Sequence, residues 1–161
     1  MVFRFVLLLL LCLLPAPAPA RPQSAAVAER HMLAVAHPLA ADAGLAVLRQ
    51  GGAAVDAAIA VQAVLTVVEP QSSGIGGGAL LLHWDAAARR LSAWDGREVA
   101  PASATPELFL RDGKPMRFHD AAVGGRAVGV PGALRMLEAA HRAHGRMPWP
   151  RLFEAAIALA E

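Results

Sequence analysis

Apolar and polar positions fall into blocks whose period changes along this chain. Residues 1–20 open with Arg4, continue as an unbroken apolar run over positions 6–14, and close on alternating proline and alanine. A positive start, a short apolar core, and small residues at Ala18 and Ala20 mark an export signal cleaved before Arg21. The apolar run is shorter than the roughly 20 residues a bilayer span needs. Residues 31–36 read as a short, largely buried strand. Over residues 39–50 the apolar Leu39, Ala43, Ala46 and Val47 recur at helical spacing. Pro38 supplies a start whose missing amide costs nothing, and Gly51-Gly52 a stop. Residues 55–68 form a second predicted helix, apolar on nearly every side and therefore buried. Asp56 falls in its first turn, where a carboxylate meets the positive end of the helix, a structural rather than catalytic position.

Between that helix and the next apolar run lies Glu69-Pro70-Gln71-Ser72-Ser73-Gly74-Ile75-Gly76-Gly77-Gly78. Four glycines in five positions are costly to order unless the backbone needs unusual dihedrals or very close approach. Residues 79–84 and 90–94 then predict two strands joined across a hairpin-length connection. Asp95-Gly96-Arg97-Glu98 follows as a polar turn, and 101–106 as loop. Residues 108–118 hold short elements around a turn at Asp112-Gly113. Gly124-Gly125 opens a flexible stretch, and Val128-Gly129-Val130 is a candidate strand. Pro131 marks the start of a helix running to about His144, which Gly145 ends. A last helix is expected over 152–161.

Composition narrows the classes. The chain has 161 residues, about one domain's worth. It is 56% hydrophobic and 17% charged, which argues against disorder. A net charge of +2, no basic run and 5% aromatics argue against a nucleic-acid partner. Cys12, the one cysteine, sits in the signal, so the exported chain is expected to carry no disulfide, thiol nucleophile or cysteine metal ligand.

Several chemical motifs fail on their own terms. Gly74 to Gly78 is not followed by Lys and Ser or Thr, so it is no P-loop. Ser72 and Ser73 lack the spacing of a nucleophile elbow and are expected to bond loop amides. His141 and His144 share a helix face, but no carboxylate is placed to complete a metal site, and they read as solvated surface residues. His37, before Pro38, reads as structural.

Taken together, these blocks carry a specific resemblance. Ala36-His37-Pro38-Leu39-Ala40, Leu48-Arg49-Gln50-Gly51-Gly52, Ala54-Val55-Asp56-Ala57-Ala58 and the glycine stretch from Val68 resemble successive blocks of the gamma-glutamyltranspeptidase family. So do Gly96-Arg97-Glu98-Val99-Ala100-Pro101, Val128-Gly129-Val130-Pro131-Gly132, and His144-Gly145-Arg146-Met147-Pro148-Trp149 with Leu152-Phe153. They come in family order over residues 32–161. Ala53 departs from the pattern, since the family commonly has Asn there, and a local cap is lost.

The resemblance implies an N-terminal nucleophile hydrolase of mixed α/β (α+β) class, a four-layer αββα sandwich only partly covered here. Residues 21–161 would be the front of the large-subunit domain. A precursor of this family cleaves itself, and the freed threonine of the small subunit attacks a gamma-glutamyl amide with its own amine as base. The glutamyl group then passes to water, an amino acid or a peptide. The implied partners are glutathione and other gamma-glutamyl donors, and the small subunit; no metal or cofactor is expected. The threonine motif has no match in this sequence, so the chain alone is expected to be inactive. One site residue carries over: Arg97 matches the family arginine that holds the donor's alpha-carboxylate, a role suited to a forked, permanently charged guanidinium. On spacing alone, Arg97 would instead pair with Asp95 or Glu98 in a surface turn. Arg126 is the alternative anion binder. The rival functions are a glutaryl or cephalosporin acylase of the same fold, and an inactive binding remnant.

Overall fold

The computed structural model describes residues 25–161; the export-signal reading of residues 1–20 lies outside the described residues. Two helices, α1 (Pro38–Arg49) and α2 (Ala54–Val68), lead into a hairpin of β1 (Leu80–Asp85) and β2 (Arg90–Asp95). A small hairpin, β3 (Leu110–Arg111) and β4 (Lys114–Pro115), and a five-residue helix α3 (Phe118–Ala122) follow. Helix α4 (Ala133–His144), a 3-10 turn over Trp149–Phe153 and α5 (Glu154–Ala160) complete the order.

The helices start and stop where side-chain chemistry dictates. His37 is extended and its Nδ1 accepts the Leu39 amide at 3.2 Å, so it caps α1 as a structural residue. Beyond α1, Gly51 takes φ +88°, the left-handed conformation that favours glycine after a helix. Helix α2 is buried on most sides, with Val55, Ala57, Ile59, Ala60, Val61, Ala63 and Val64 inside. Around it Val47, Met136, Leu137, Ala140 and Leu152 form one core, against which Leu81, Trp94 and Trp149 pack. Ala40, Val61, Val64 and Ala156 form a second, touched by Leu33 and Val35.

Asp56 is fully buried and holds this helical layer together. Its Oδ2 accepts the Ala53 amide at 2.7 Å, closing the first turn of α2 from within, because Ala53 itself has no capping side chain. The same oxygen accepts the amides of Arg146 at 2.9 Å and Met147 at 3.3 Å, ninety residues further along. Its Oδ1 lies 3.5 Å from His141 Nε2, which donates to the Met147 carbonyl at 2.8 Å. The structural role expected of Asp56 is therefore realised, with tertiary partners added.

In the β1/β2 hairpin Leu81 faces Trp94, and His83 faces Ser92. That face lies toward the core, whereas Leu80, Leu82, Trp84 and Leu91 are exposed on the other. A sheet carrying apolar residues on both faces is built to be covered on both.

Five expectations need correction. Residues 31–36 are extended but unpaired among the described residues, with only alternate side chains half-buried, because no neighbouring strand supplies a ladder. The Val128–Val130 strand reduces to a single bridge, Val99 to Val130. Helix α4 starts at Ala133 rather than at Pro131, since Gly132 is held in backbone contact before it. The last helix opens with a 3-10 turn over Trp149–Phe153 that holds Pro150 as its second residue, where a missing amide suits an opening turn. The histidines of α4 are not solvated. His141 meets Trp149 edge to face with ring centroids 5.2 Å apart, and His144 stacks at a tilt on His83 at 4.1 Å.

Asp56→Ala is expected to lower stability by about 3–5 kcal/mol, the usual cost of stranding buried partners of a charge. Asp56→Asn should recover less than half, since its NH2 group meets amides that need an acceptor. A urea midpoint for Asp56→Ala equal to that of the parent would remove this carboxylate from the fold's supports.

A pH effect follows from His83, whose pKa lies below the ordinary value. Burial is the main cause, the charge of His144 adds to it, and Asp85 opposes. A histidine held neutral in the fold binds its proton more readily when unfolded. Stability should therefore fall as the pH drops through about 6.5 toward the lower folded value. Urea midpoints between about pH 7.5 and 5 read this slope, and His83→Gln should flatten it. An equally steep acid loss in the variant would assign the effect elsewhere.

Candidate functional site

None of Gly74, Gly76, Gly77 or Gly78 has a positive φ; Gly77 and Gly78 serve close approach, whereas Gly74 and Gly76 have no neighbour within 4 Å of a Cβ position. Ala79 and Gly96 exchange two backbone hydrogen bonds at 3.2 and 2.9 Å, so the hairpin ladder continues into Gly96. The Gly77 carbonyl accepts the amides of Gly132 and Ala133 at 3.2 and 3.1 Å, docking the start of α4 on the loop. Three backbones thus cross with no room between them. A Cβ on Gly132 would stand 2.5 Å from the Gly96 oxygen, and one on Gly78 would stand 3.0 Å from Arg97 Cα. Ser73 does not bond a loop amide as expected; its Oγ accepts from Gln62 Nε2 at 2.8 Å, tying the loop back to α2.

Arg97 leaves this crossing as the first residue beyond it. Asp95 Oδ1 accepts the Arg97 amide at 2.9 Å, which fixes the backbone and leaves the side chain free to swing. The guanidinium is largely exposed, at 77%, and its Nε lies 3.4 Å from Glu98 Oε2. That contact is ionic and lacks hydrogen-bond geometry, for Glu98 Oε2 is buried with no hydrogen-bond partner among the described residues. Glu98 is clasped between glycines: a Cβ on Gly129 would lie 2.9 Å from its Cβ, and Gly77 and Gly78 crowd its carboxylate. The pairing with Glu98 read from spacing is present, and Asp95 serves the backbone instead.

Arg97 and Glu98 line a cleft of about 380 Å3 together with Pro101, Phe109, Arg126 and Val128. Both sequence-derived anion binders, Arg97 and Arg126, therefore face one cleft. Arg126 Nη1 donates to the Leu108 carbonyl at 3.1 Å and lies 3.2 Å from Met116 Sδ. Two guanidiniums against one carboxylate leave the cleft with a net positive charge, suited to an anionic ligand. A larger cleft of about 600 Å3, lined by Arg30, Arg49 and Arg146, shares no residue with the glycine crossing. Among the described residues no three His, Cys, Asp or Glu side chains converge on a possible metal site.

Sequence reading located the two arginines but missed three partners. The amides on Asp56, the His83–His144 stack and the clasp on Glu98 each join segments far apart in the chain. Glycines 77, 78 and 129 were a visible signal for the clasp on Glu98 alone.

The gamma-glutamyltranspeptidase family model matches residues 40–161. The "Glutathione hydrolase proenzyme" of Bacillus subtilis strain 168 is 46% identical over 131 residues, covering 81% of this chain and 22% of the relative. The chain thus spans about a fifth of the length of the curated relatives it matches. The crystal structure of Helicobacter pylori gamma-glutamyltranspeptidase superposes with a TM-score of 0.80 at 35% identity, over 86% of this chain and 39% of that one. A cephalosporin acylase from Bacillus halodurans superposes at 0.64 with 33% identity, over 87% and 27%. The α+β arrangement described here is accordingly part of an N-terminal nucleophile hydrolase fold. With its blocks in family order and its glycine crossing presenting an arginine to a cleft, this chain belongs to the gamma-glutamyltranspeptidase family.

Proposed function

We propose that the protein carrying this segment is a gamma-glutamyltransferase and glutathione hydrolase. It cleaves gamma-glutamyl amides through a threonine acyl-enzyme and passes the glutamyl group to water, an amino acid or a peptide. The nucleophile comes from a small subunit cut from the same precursor, a reading supported by the proenzyme name of the Bacillus subtilis relative. The contribution of this chain is to bind the donor. The single observation that carries the proposal is the presentation of Arg97 at the mouth of the cationic cleft, on a backbone fixed by Asp95 and the glycine crossing. Its fork takes the alpha-carboxylate of the donor, which displaces Glu98 as the partner of Arg97.

Likeness to the Bacillus halodurans cephalosporin acylase supports a second reading, a glutaryl or cephalosporin acylase. A glutaryl donor also ends in a carboxylate, so Arg97 serves both reactions, and parallel turnover of gamma-glutamyl and glutaryl amides separates them. We further infer export to the periplasm or outside the cell, from the apolar run ending at Ala18-Pro19-Ala20. Mass spectrometry of the exported product should find Arg21 at the N-terminus; retained Met1 or Val2 would refute cleavage there.

In the full-length protein, Arg97→Ala is expected to lower kcat/KM for gamma-glutamyl donors by roughly thirtyfold, about 2 kcal/mol, the low end for losing a charge partner because Arg97 is exposed. Glu98, left unpaired, would repel the incoming carboxylate as well. Arg97→Lys should restore only part, since a point charge cannot fork. Self-cleavage should continue, as it involves no substrate carboxylate. Unaltered donor kinetics would exclude Arg97 from the site, and failed processing would give it a folding role. Residues 21–161 alone should turn over no gamma-glutamyl anilide and should aggregate through the exposed face of β1 and β2.

A further inference from the structure

Arg126 also lines this cleft, so a role for it there rests on the donor-binding role proposed above. Glu98 is the one carboxylate lining the cleft and it faces Arg97, while Arg126 meets only a carbonyl and a thioether sulfur among the described residues. A guanidinium turned toward neutral acceptors keeps its charge available to an incoming anion.

The bridge between Val99 and Val130 places the two cations. Val99 donates to the Val130 carbonyl at 3.3 Å and Val130 to that of Val99 at 2.8 Å, so the two segments run antiparallel. From the bridge, Arg97 lies toward Gly132, at the glycine crossing. Arg126 lies the opposite way, in the 3-10 turn Gly125–Ala127. At about 3.3 Å per extended residue, and less within the turn, their Cα atoms are separated by at most on the order of 20 Å. Their guanidiniums face different groups, Glu98 for one and Leu108 with Met116 for the other. One carboxylate is too small to engage both as they are held. A three-residue peptide spans about 10 Å, which with two arginine side chains reaching inward matches the separation.

We propose that Arg126 forms a second anion subsite, which takes a carboxylate on the leaving portion of the donor. The cleft then favours gamma-glutamyl donors with an acidic group at each end, Arg97 holding the glutamyl end and Arg126 the other. Arg126 is thus a specificity residue for the reaction already proposed, and glutathione has the required pair of carboxylates.

The experiment measures kcat/KM of the full-length protein for glutathione and for a gamma-glutamyl anilide, whose leaving portion is uncharged. In Arg126→Gln the ratio of glutathione to anilide should fall roughly fivefold, the upper scale of one partly solvated charge pair. Arg126→Lys should bring back more than half of that loss on a logarithmic scale. Equal losses with both donors would overturn the proposal, because Arg126 would then act on the shared glutamyl end or on the loop's stability. An unchanged ratio would overturn it too. If the parent protein turned over neither donor, the gamma-glutamyl reading itself would fall, and the subsite with it.

Discussion

The buried carboxylate of Asp56 is the interaction on which the rest of this structure depends. It gathers three backbone amides, one from the start of its own helix and two from the loop after α4. Hydrogen bonds to a charged acceptor contribute about 1.5–3 kcal/mol each, and the positive end of α2 adds to them. Those terms offset the desolvation that would otherwise keep a carboxylate out of a core of alanine and valine. Helix α4 is thereby fixed at its C-terminal end. At its other end, Gly132 and Ala133 bond the Gly77 carbonyl against Gly96. The helix is a strut between the Asp56 cluster and the glycine crossing, and the position of Arg97 follows from both.

The crossing itself is a packing constraint, not a conformational one. Gly78, Gly96, Gly129 and Gly132 are required where backbones and the Glu98 side chain leave no space for a Cβ. The tightness has a functional counterpart. A loop, a strand end and a helix start that cannot slide past one another hold the cleft's mouth to a fixed shape. Arg97 can then move as a side chain while its backbone stays in place, which suits a residue that must exchange Glu98 for a substrate carboxylate. Preorganised backbone with a mobile charged tip lowers the ordering cost of binding.

Much of this was legible in the sequence. Period and punctuation fixed α1, α2, the β1/β2 hairpin and the Asp112-Gly113 turn, because each depends on local spacing, a proline, or a glycine in a turn. The family blocks pointed to Arg97, and Asp56 was placed correctly at a helix start. What the sequence alone could not decide were relations between distant segments. Strand propensity in residues 31–36 does not form a strand without a partner ladder, and Val128–Val130 finds just one bridge. The polar His141 and His144 look like surface residues until Asp56, Met147, His83 and Trp149 close around them. Likewise, nothing in local spacing brings Arg126 to the cleft of Arg97; the antiparallel bridge does that. Local chemistry settled which elements form, while burial, charge pairing and backbone contact across long sequence separations settled which side chains share a site.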